Sequence, residues 1–417
     1  MHKSSRTSVS TFEQGILPGR RANGREVIED RSNEWRWPRK VLVRHVTALC
    51  VAALLAPMVH AQTAMGRLDG TVRAAGTDAA IPYAVVSVAS QSRERFTGAD
   101  GRFSLLALPV GTYTVVIKRL GFAPWNGSVA ISADASTALA VVLTPIAARL
   151  PKVDVIALAN CANPGLPDPR RQADVYELVT LLRENADRYR ILASQYPFSY
   201  LQTRALGELS DSAFILQRID TTLVTSASPA SYRPGQVVTR ARGAGGRGEY
   251  TMILPTIVEL AGDPFIRNHC FGYGGAITQQ HETWYRINVR AADRLKSPDV
   301  HGAFFLDSAT SQLRRMELEL SRPDRLPREL RGIDGVTAVT TFVSIADGLS
   351  VIGSVCAVNR LTQQGAIAKR PTPSELQRLI AVRFTSPPPD VPAVRTLELP
   401  PWQSGARLPR SEVGCID

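Results

Sequence analysis

Between Met65 and Thr144 the chain is a run of short segments in which apolar and polar residues alternate, broken by turn residues about every ten positions. Alternation with period two is the mark of half-buried strands, and regular turn spacing is the mark of an antiparallel sandwich. The pattern predicts seven strands at 67–72, 84–90, 93–97, 102–106, 111–119, 127–131 and 137–143. The turns between them are written in residues that favour tight reversals, namely Gly76-Thr77-Asp78, Ala99-Asp100-Gly101 and Leu108-Pro109-Val110-Gly111. Asp-Gly supplies the positive φ angles of a tight hairpin, and Pro109 fixes φ ahead of Gly111.

These residues also carry a family likeness. Gly70-Thr71-Val72, Ile81-Pro82-Tyr83-Ala84-Val85-Val86-Ser87-Val88, Thr97-Gly98-Ala99-Asp100-Gly101-Arg102-Phe103, Leu108-Pro109-Val110-Gly111-Thr112-Tyr113 and Arg119-Leu120-Gly121-Phe122 follow one another in order. Residues 65–145 thereby resemble the carboxypeptidase regulatory-like, or transthyretin-like, β-sandwich. The same module stands ahead of the plug in many TonB-dependent outer-membrane receptors, where a Leu-x-x-Val-x-Val segment follows it. Leu150-Pro151-Lys152-Val153-Asp154-Val155-Ile156-Ala157 resembles that segment. A receptor would then need a plug and a long barrel, whereas 260 residues remain and they begin with a helical pattern, so transport is not expected.

Upstream, Trp35-Arg36-Trp37-Pro38-Arg39-Lys40 precedes an apolar run from Val46 to Val59 and then Val59-His60-Ala61. A basic region, a short apolar stretch and small residues at −3 and −1 compose a secretory signal, with cleavage expected after Ala61. The run is shorter than the roughly 20 residues that span a bilayer, so no permanent membrane anchor is expected after cleavage. Residues 1–61 are read as leader and signal peptide. They hold ten Lys/Arg and five Asp/Glu, so the net charge of +12 falls to +7 for the remainder. No basic stripe is interleaved with aromatics, and nucleic acid is not an expected partner.

Export sets the chemistry of cysteine. Four remain after cleavage: Cys161, Cys270, Cys356 and Cys415. In an oxidising compartment an even number favours two disulfides, although four cysteines allow three connectivities. Chain economy favours Cys161 with Cys270, locking a linker onto the following domain, and Cys356 with Cys415, tying down the C-terminus.

The rest of the chain reads as a second domain. Residues 62–147 make the sandwich, 148–170 a linker, 171–370 a helix with antiparallel strands, and 371–417 a proline-rich tail. Val175, Leu178, Val179, Leu182, Ala186, Tyr189 and Leu192 recur at spacings of three and four, which predicts an amphipathic helix over 171–195, stopped by Pro197. Strands are expected at 214–219, 237–240, 250–254, 284–290, 300–306, 312–320, 336–345 and 349–358. Residues 235–248 hold five glycines and read as an exposed loop. The fold class is therefore mainly β with one long helix: a seven-stranded antiparallel sandwich, then a separate β-rich α+β domain. The C-terminal pattern resembles uncharacterised exported bacterial proteins that pair this sandwich with a His-Cys-Phe segment, here His269-Cys270-Phe271, a likeness that implies no activity.

No motif compels a chemistry. His269, Cys270, His281 and His301 lie within 33 residues, but no pair has zinc-ligand spacing, and no metal or other cofactor is expected. Cys270 and His281 could form a nucleophile and base, but an exported thiolate is prone to oxidation. Gly353-Ser354 lacks the second glycine of a nucleophile elbow. Gly243-Ala244-Gly245-Gly246-Arg247-Gly248 lacks the Gly-Lys-Ser/Thr ending of a phosphate loop. Glu317 and Glu319 share one face of a strand, the arrangement a glycosidase pair would use and also the commonplace one of a solvated face. Trp125, Tyr273, Trp284, Tyr285 and Trp402 could line a sugar or peptide platform. Two readings follow: an exported, non-catalytic binding or structural protein of the periplasm, outer-membrane periphery or cell exterior, meeting an envelope protein, polysaccharide or lipid; or an exported hydrolase with an unfamiliar site.

Overall fold

The computed structural model describes residues 64–146 and 160–413, except 92, 211, 228–231, 243–247, 261, 280, 331, 362–371, 389 and 398–401. The signal peptide, the segment 150–157, the glycine stretch 243–247 and Cys415 fall outside the described residues. No helix among those described is long and apolar enough to cross a membrane.

All seven N-terminal strands form: β1 Met65–Ala74, β2 Val85–Val88, β3 Arg93–Phe96, β4 Arg102–Pro109, β5 Gly111–Lys118, β6 Trp125–Ile131 and β7 Ser136–Leu143. They make two sheets, β4-β1-β7 and β3-β2-β5-β6. One pairing departs from the all-antiparallel expectation: the chain leaves β6 in one sheet, crosses to the other, and lays β7 parallel to β1. Leu68, Val72, Phe103, Leu105, Val115, Ile117 and Leu143 fill the space between the sheets. The turn chemistry is as the sequence demands. Gly101 has φ +73, and a Cβ there would lie 2.6 Å from the Val72 carbonyl oxygen. The Tyr113 hydroxyl donates to the Pro109 carbonyl at 2.8 Å, closing the corner that leads into β5.

The predicted helix is α1, Ala173–Gln195, and the N–H of Tyr196 caps it on the Leu192 carbonyl just before Pro197. Beyond it lie β8 Phe198–Leu209, β9 Ala213–Thr225, β10 Val238–Arg242, β11 Gly248–Met252, α2 Ile257–Leu260, α3 Asp263–Ile266, β12 His269–Gln279, β13 Glu282–Ala291, β14 Val300–Asp307, β15 Leu313–Leu320, β16 Ile333–Ala346, β17 Leu349–Leu361, β18 Thr372–Phe384, β19 Val394–Thr396, β20 Arg407–Pro409 and α4 Arg410–Val413. Eleven of these strands form one sheet, in the order β12-β13-β14-β15-β16-β17-β18-β8-β9-β20, with β19 beside β18.

Three segments differ from expectation. Phe198–Leu209, where no strand is expected, lies between β18 and β9, whereas Val238–Arg242 and Gly248–Met252 pair as a hairpin close to the strands expected at 237–240 and 250–254. His269–Gln279 is an edge strand whose glycines conceal its alternation. Thr372–Phe384, expected as the start of the tail, is a central strand between β17 and β8. Its Leu376, Leu379, Val382 and Phe384 are buried core residues, and only the flanking prolines give it the look of a tail.

One face of the sheet carries α1. Val175, Leu178, Val179 and Leu182 pack there against Phe271, Ile287, Phe304, Leu318 and Val336. The opposite face, at Ala205, Leu216, Cys356, Val358 and Leu376, is covered by Trp402, Leu408 and Val413 near the C-terminus. The sandwich docks on the C-terminal half of α1: Tyr83, Val85 and Phe96 join Ile191, Leu192, Phe198, Leu349 and Phe384 in one shared core. The expected Cys161–Cys270 disulfide is present, with Cα atoms 5.6 Å apart, and pins the linker to β12. Cys356 is also disulfide-bonded; its expected partner, Cys415, lies outside the described residues.

Candidate functional site

The residues that sequence reasoning singles out do not converge. Cys270 is spent in its disulfide, which removes it both as a metal ligand and as a nucleophile for His281. His281 itself sits in the β12–β13 turn with φ +71. His269 is fully buried and stacked on Phe265 at 4.0 Å, its Nδ1 2.8 Å from the Phe265 carbonyl oxygen. Its Nε2 lies 3.6 Å from Asp299, too long for a hydrogen bond. Asp299 instead accepts from the Tyr232 hydroxyl and from the Gly235 and Val300 N–H groups, each at 2.7 Å, and so anchors a loop. Among the described residues no group of three His, Cys, Asp or Glu is placed to hold a metal ion.

Glu317 and Glu319 do share the face opposite α1. Glu317 meets Arg315 at 2.7 Å, and Glu319 lies 3.7 Å from both Arg360 and His301. They line a groove of about 490 Å³ with Arg286, over a floor of Gly302 and Ala303. Each carboxylate has a cation beside it, whereas a general acid needs an apolar setting. Burial, with Arg290 and Arg360 nearby, holds His301 below its ordinary value despite Glu319. The aromatics scatter as well. Tyr273 and Tyr285 are core, Trp284 hydrogen-bonds exposed Glu282, Trp125 packs on the sandwich, and Trp402 lies 4.0 Å from the Arg378 guanidinium.

The more constructed site lies where the two domains meet. A cleft of about 650 Å³ is bounded on one side by α1, through Tyr176, Leu181, Glu184 and Arg188, and on the other by the sandwich, through Val85, Lys118, Phe122 and Pro124. That is within the ordinary size range of small-molecule sites, and domain interfaces are a preferred location for them. The walls are pinned: Arg190 meets Glu94 of β3 at 2.6 Å, the N–H of Phe96 donates to Gln195 at 3.0 Å, and Arg119 meets Asp347 at 2.8 Å.

Arg188 is 2% exposed. Its Nε donates to the Gly348 carbonyl at 2.9 Å, and its guanidinium lies 5.3 Å over the Phe96 ring. Its Nη1 and Nη2 have no hydrogen-bond partner among the described residues, and neither has Oε1 of Glu184 one turn earlier. Buried polar atoms are almost always paired, so two such residues lining one cleft are conspicuous. Burial, reinforced by the like charge of Arg119, brings Arg188 down to about 9, so it stays a cation at neutral pH. Burial pushes the Glu184 carboxyl above its usual range, against the pull of Arg188. Toward the mouth the lining is exposed and mixed: Ile146 is 44% and Leu166 43% exposed, and Lys118, Glu177, Thr180 and Asp187 are exposed with them.

Sequence reasoning misses this pair because Glu and Arg between apolar positions look like a helix's solvated side. The usable signal is Leu181, Glu184, Arg188 and Ile191. These fall at spacings of three and four, so one stripe of α1 has apolar ends and a charged middle.

Fold and cleft together define a two-domain β protein whose small N-terminal sandwich closes over the helix of a large antiparallel sheet. Residues 67–144 match the carboxypeptidase regulatory-like domain, and this part of the chain is such a domain. No curated protein matches the chain. Among solved structures, 19% of this chain is similar to 56% of a chain of a cohesin–X-dockerin complex from Acetivibrio cellulolyticus, at 18% identity and TM-score 0.16. Half of this chain aligns with 93% of a DUF1329 family protein from Desulfovibrio piger, at 8% identity and TM-score 0.27. Half also aligns with 94% of a LolA superfamily protein from Nitrosomonas europaea, at 9% identity and TM-score 0.25. Likenesses this low carry no functional inference.

Proposed function

We propose that the protein is exported and acts without catalysis, as a binding protein of the cell envelope or surface that holds a small ligand between its two domains. The signal-like N-terminus and the cysteine usage support export. The single observation that carries the binding reading is the interdomain cleft, with buried Arg188 and half-buried Glu184 along it and Nη1 and Nη2 of the one and Oε1 of the other without a partner among the described residues. A ligand that completes those hydrogen bonds would remove a standing desolvation cost, which is how a few polar groups orient a ligand in a mostly apolar site. The alternative of an exported hydrolase has no observation in its favour: Cys270 is bonded, His269 is sealed in the core, and Glu317 and Glu319 each sit beside a cation.

Native mass spectrometry of the protein purified from periplasm tests the reading. The wild type should carry a non-covalent small-molecule adduct, and Leu181→Trp, which fills the cleft, should lose it while remaining folded. A folded Leu181→Trp that retains the adduct would place binding elsewhere. A wild type that carries none, and that no cell-envelope extract stabilises, would sink the proposal.

A further inference from the structure

Resting on the cleft as the binding site, we propose that its occupant is an anionic amphiphile, a molecule with a carboxylate or phosphate head and an apolar chain, bound head inward.

The lining changes character with depth. At the buried end stand the unpartnered Arg188 nitrogens and Glu184 oxygen; at the mouth stand Ile146 and Leu166, each more than two-fifths exposed. Phe122, Pro124 and Leu181 complete an apolar wall. A head group at the buried end must first satisfy two donors on one guanidinium, and an acid presents two acceptor oxygens in matching geometry. Glu184 favours the same head. Burial raises its carboxyl, against the pull of Arg188, and a carboxyl that takes up a proton beside a bound acid donates to the acid's remaining oxygen. A cationic head would meet Arg188 with Arg119 close by. Of the other acidic side chains of the lining, Glu94 and Asp187 are engaged by Arg190, at 2.6 and 3.6 Å, and exposed Glu177 stands about three turns of α1 away from Arg188. A bare anion would leave the apolar wall wet, and an apolar chain lying along it gains roughly 0.8 kcal/mol per buried methylene.

Titration calorimetry on the full protein, stripped of bound small molecules, reads the proposal with four probes: dodecanoate, dodecyl phosphate, dodecanol and dodecyltrimethylammonium. One or both acids should bind one to one and at least about tenfold more tightly than dodecanol, and the cation should not bind. Which acid wins distinguishes a carboxylate from a phosphate source. Arg188→Met should weaken the acids by about tenfold or more and leave dodecanol unchanged. If Arg188→Met does not fold, Arg188→Lys keeps a charge and a donor near Gly348 but loses the paired donors; it should weaken the acids by a smaller factor. Glu184→Gln, a permanent donor, should bind the acids at least as tightly as wild type. Dodecanol or the cation binding as well as the acids would overturn the acid head. If no probe binds while Leu181→Trp still strips the native adduct, the ligand class is wrong and the cleft stands. If the acids bind Leu181→Trp as tightly as wild type, the cleft itself is wrong.

Discussion

Two clusters of buried charge lie in the C-terminal domain, and they differ in how their polar atoms are met. Glu375, 1% exposed, takes Arg204 on both oxygens, at 2.5 and 2.9 Å, and a further donation from Gln377 at 2.7 Å. Arg188 is also buried and Glu184 half-buried beside it, yet three of their polar atoms have no partner among the described residues. The first cluster joins β8 to β18 inside a continuous sheet and is completed by its own residues. The second lines a cleft between domains, where something can. A completed network holds a fold together, and the incomplete one beside an open volume is what the proposed binding site rests on.

The contrast can be broken experimentally at several points. The largest effect belongs to the completed network. Glu375→Ala leaves half-buried Arg204 and buried Gln377 without this acceptor and should cost about 3–5 kcal/mol, read as a lower urea midpoint at unchanged slope. A loss under 1 kcal/mol would mean that the network is not what holds β8 to β18. Next comes the linker staple: Cys161→Ser with Cys270→Ser should cost about 2–4 kcal/mol by freeing a loop of 109 residues. Intact mass with and without reductant should show the secreted chain beginning at Gln62 with no alkylatable thiol. Free thiols would contradict a doubly stapled protein.

A smaller effect comes from Glu184. Its carboxyl is raised in the folded protein, so its contribution to stability is full below the ordinary carboxylate range and is lost as pH rises through the folded value. Stability should therefore fall with rising pH in that window, and Glu184→Gln should flatten the fall. An unchanged pH profile in the variant would show that Glu184 does not carry it. The smallest effect is that of the rim. Arg190→Gln removes a half-exposed pair with Glu94 and should change stability by no more than a few tenths of a kcal/mol. A loss above 1 kcal/mol would make that pair a structural tie between the domains.

How much of the molecule is legible in the sequence follows from how local each signal is. The sandwich is readable strand by strand because turns such as Asp100-Gly101 and Pro109 through Gly111 encode their own geometry. Helix α1 is readable from its apolar period. The strands that escape lack a local signal. Gly272, Gly274 and Gly275 hide the alternation of β12, Gln202 and Thr203 are polar residues buried in β8, and prolines frame β18. The site escapes for a tertiary reason. Nothing in α1 itself says that Arg188 is buried, because its cover comes from Phe96 of the sandwich and Gly348 of a distant hairpin.

The most direct test of the central claim, that Arg188 is buried to serve a ligand, is to measure stability and adduct retention together in Arg188→Met. Removing a guanidinium with two unpartnered nitrogens offsets the loss of its bond to Gly348 and its contact with Phe96, so stability should stay within about 1 kcal/mol of wild type while the adduct disappears. A loss of several kcal/mol with the adduct retained would make Arg188 a structural residue and contradict the account.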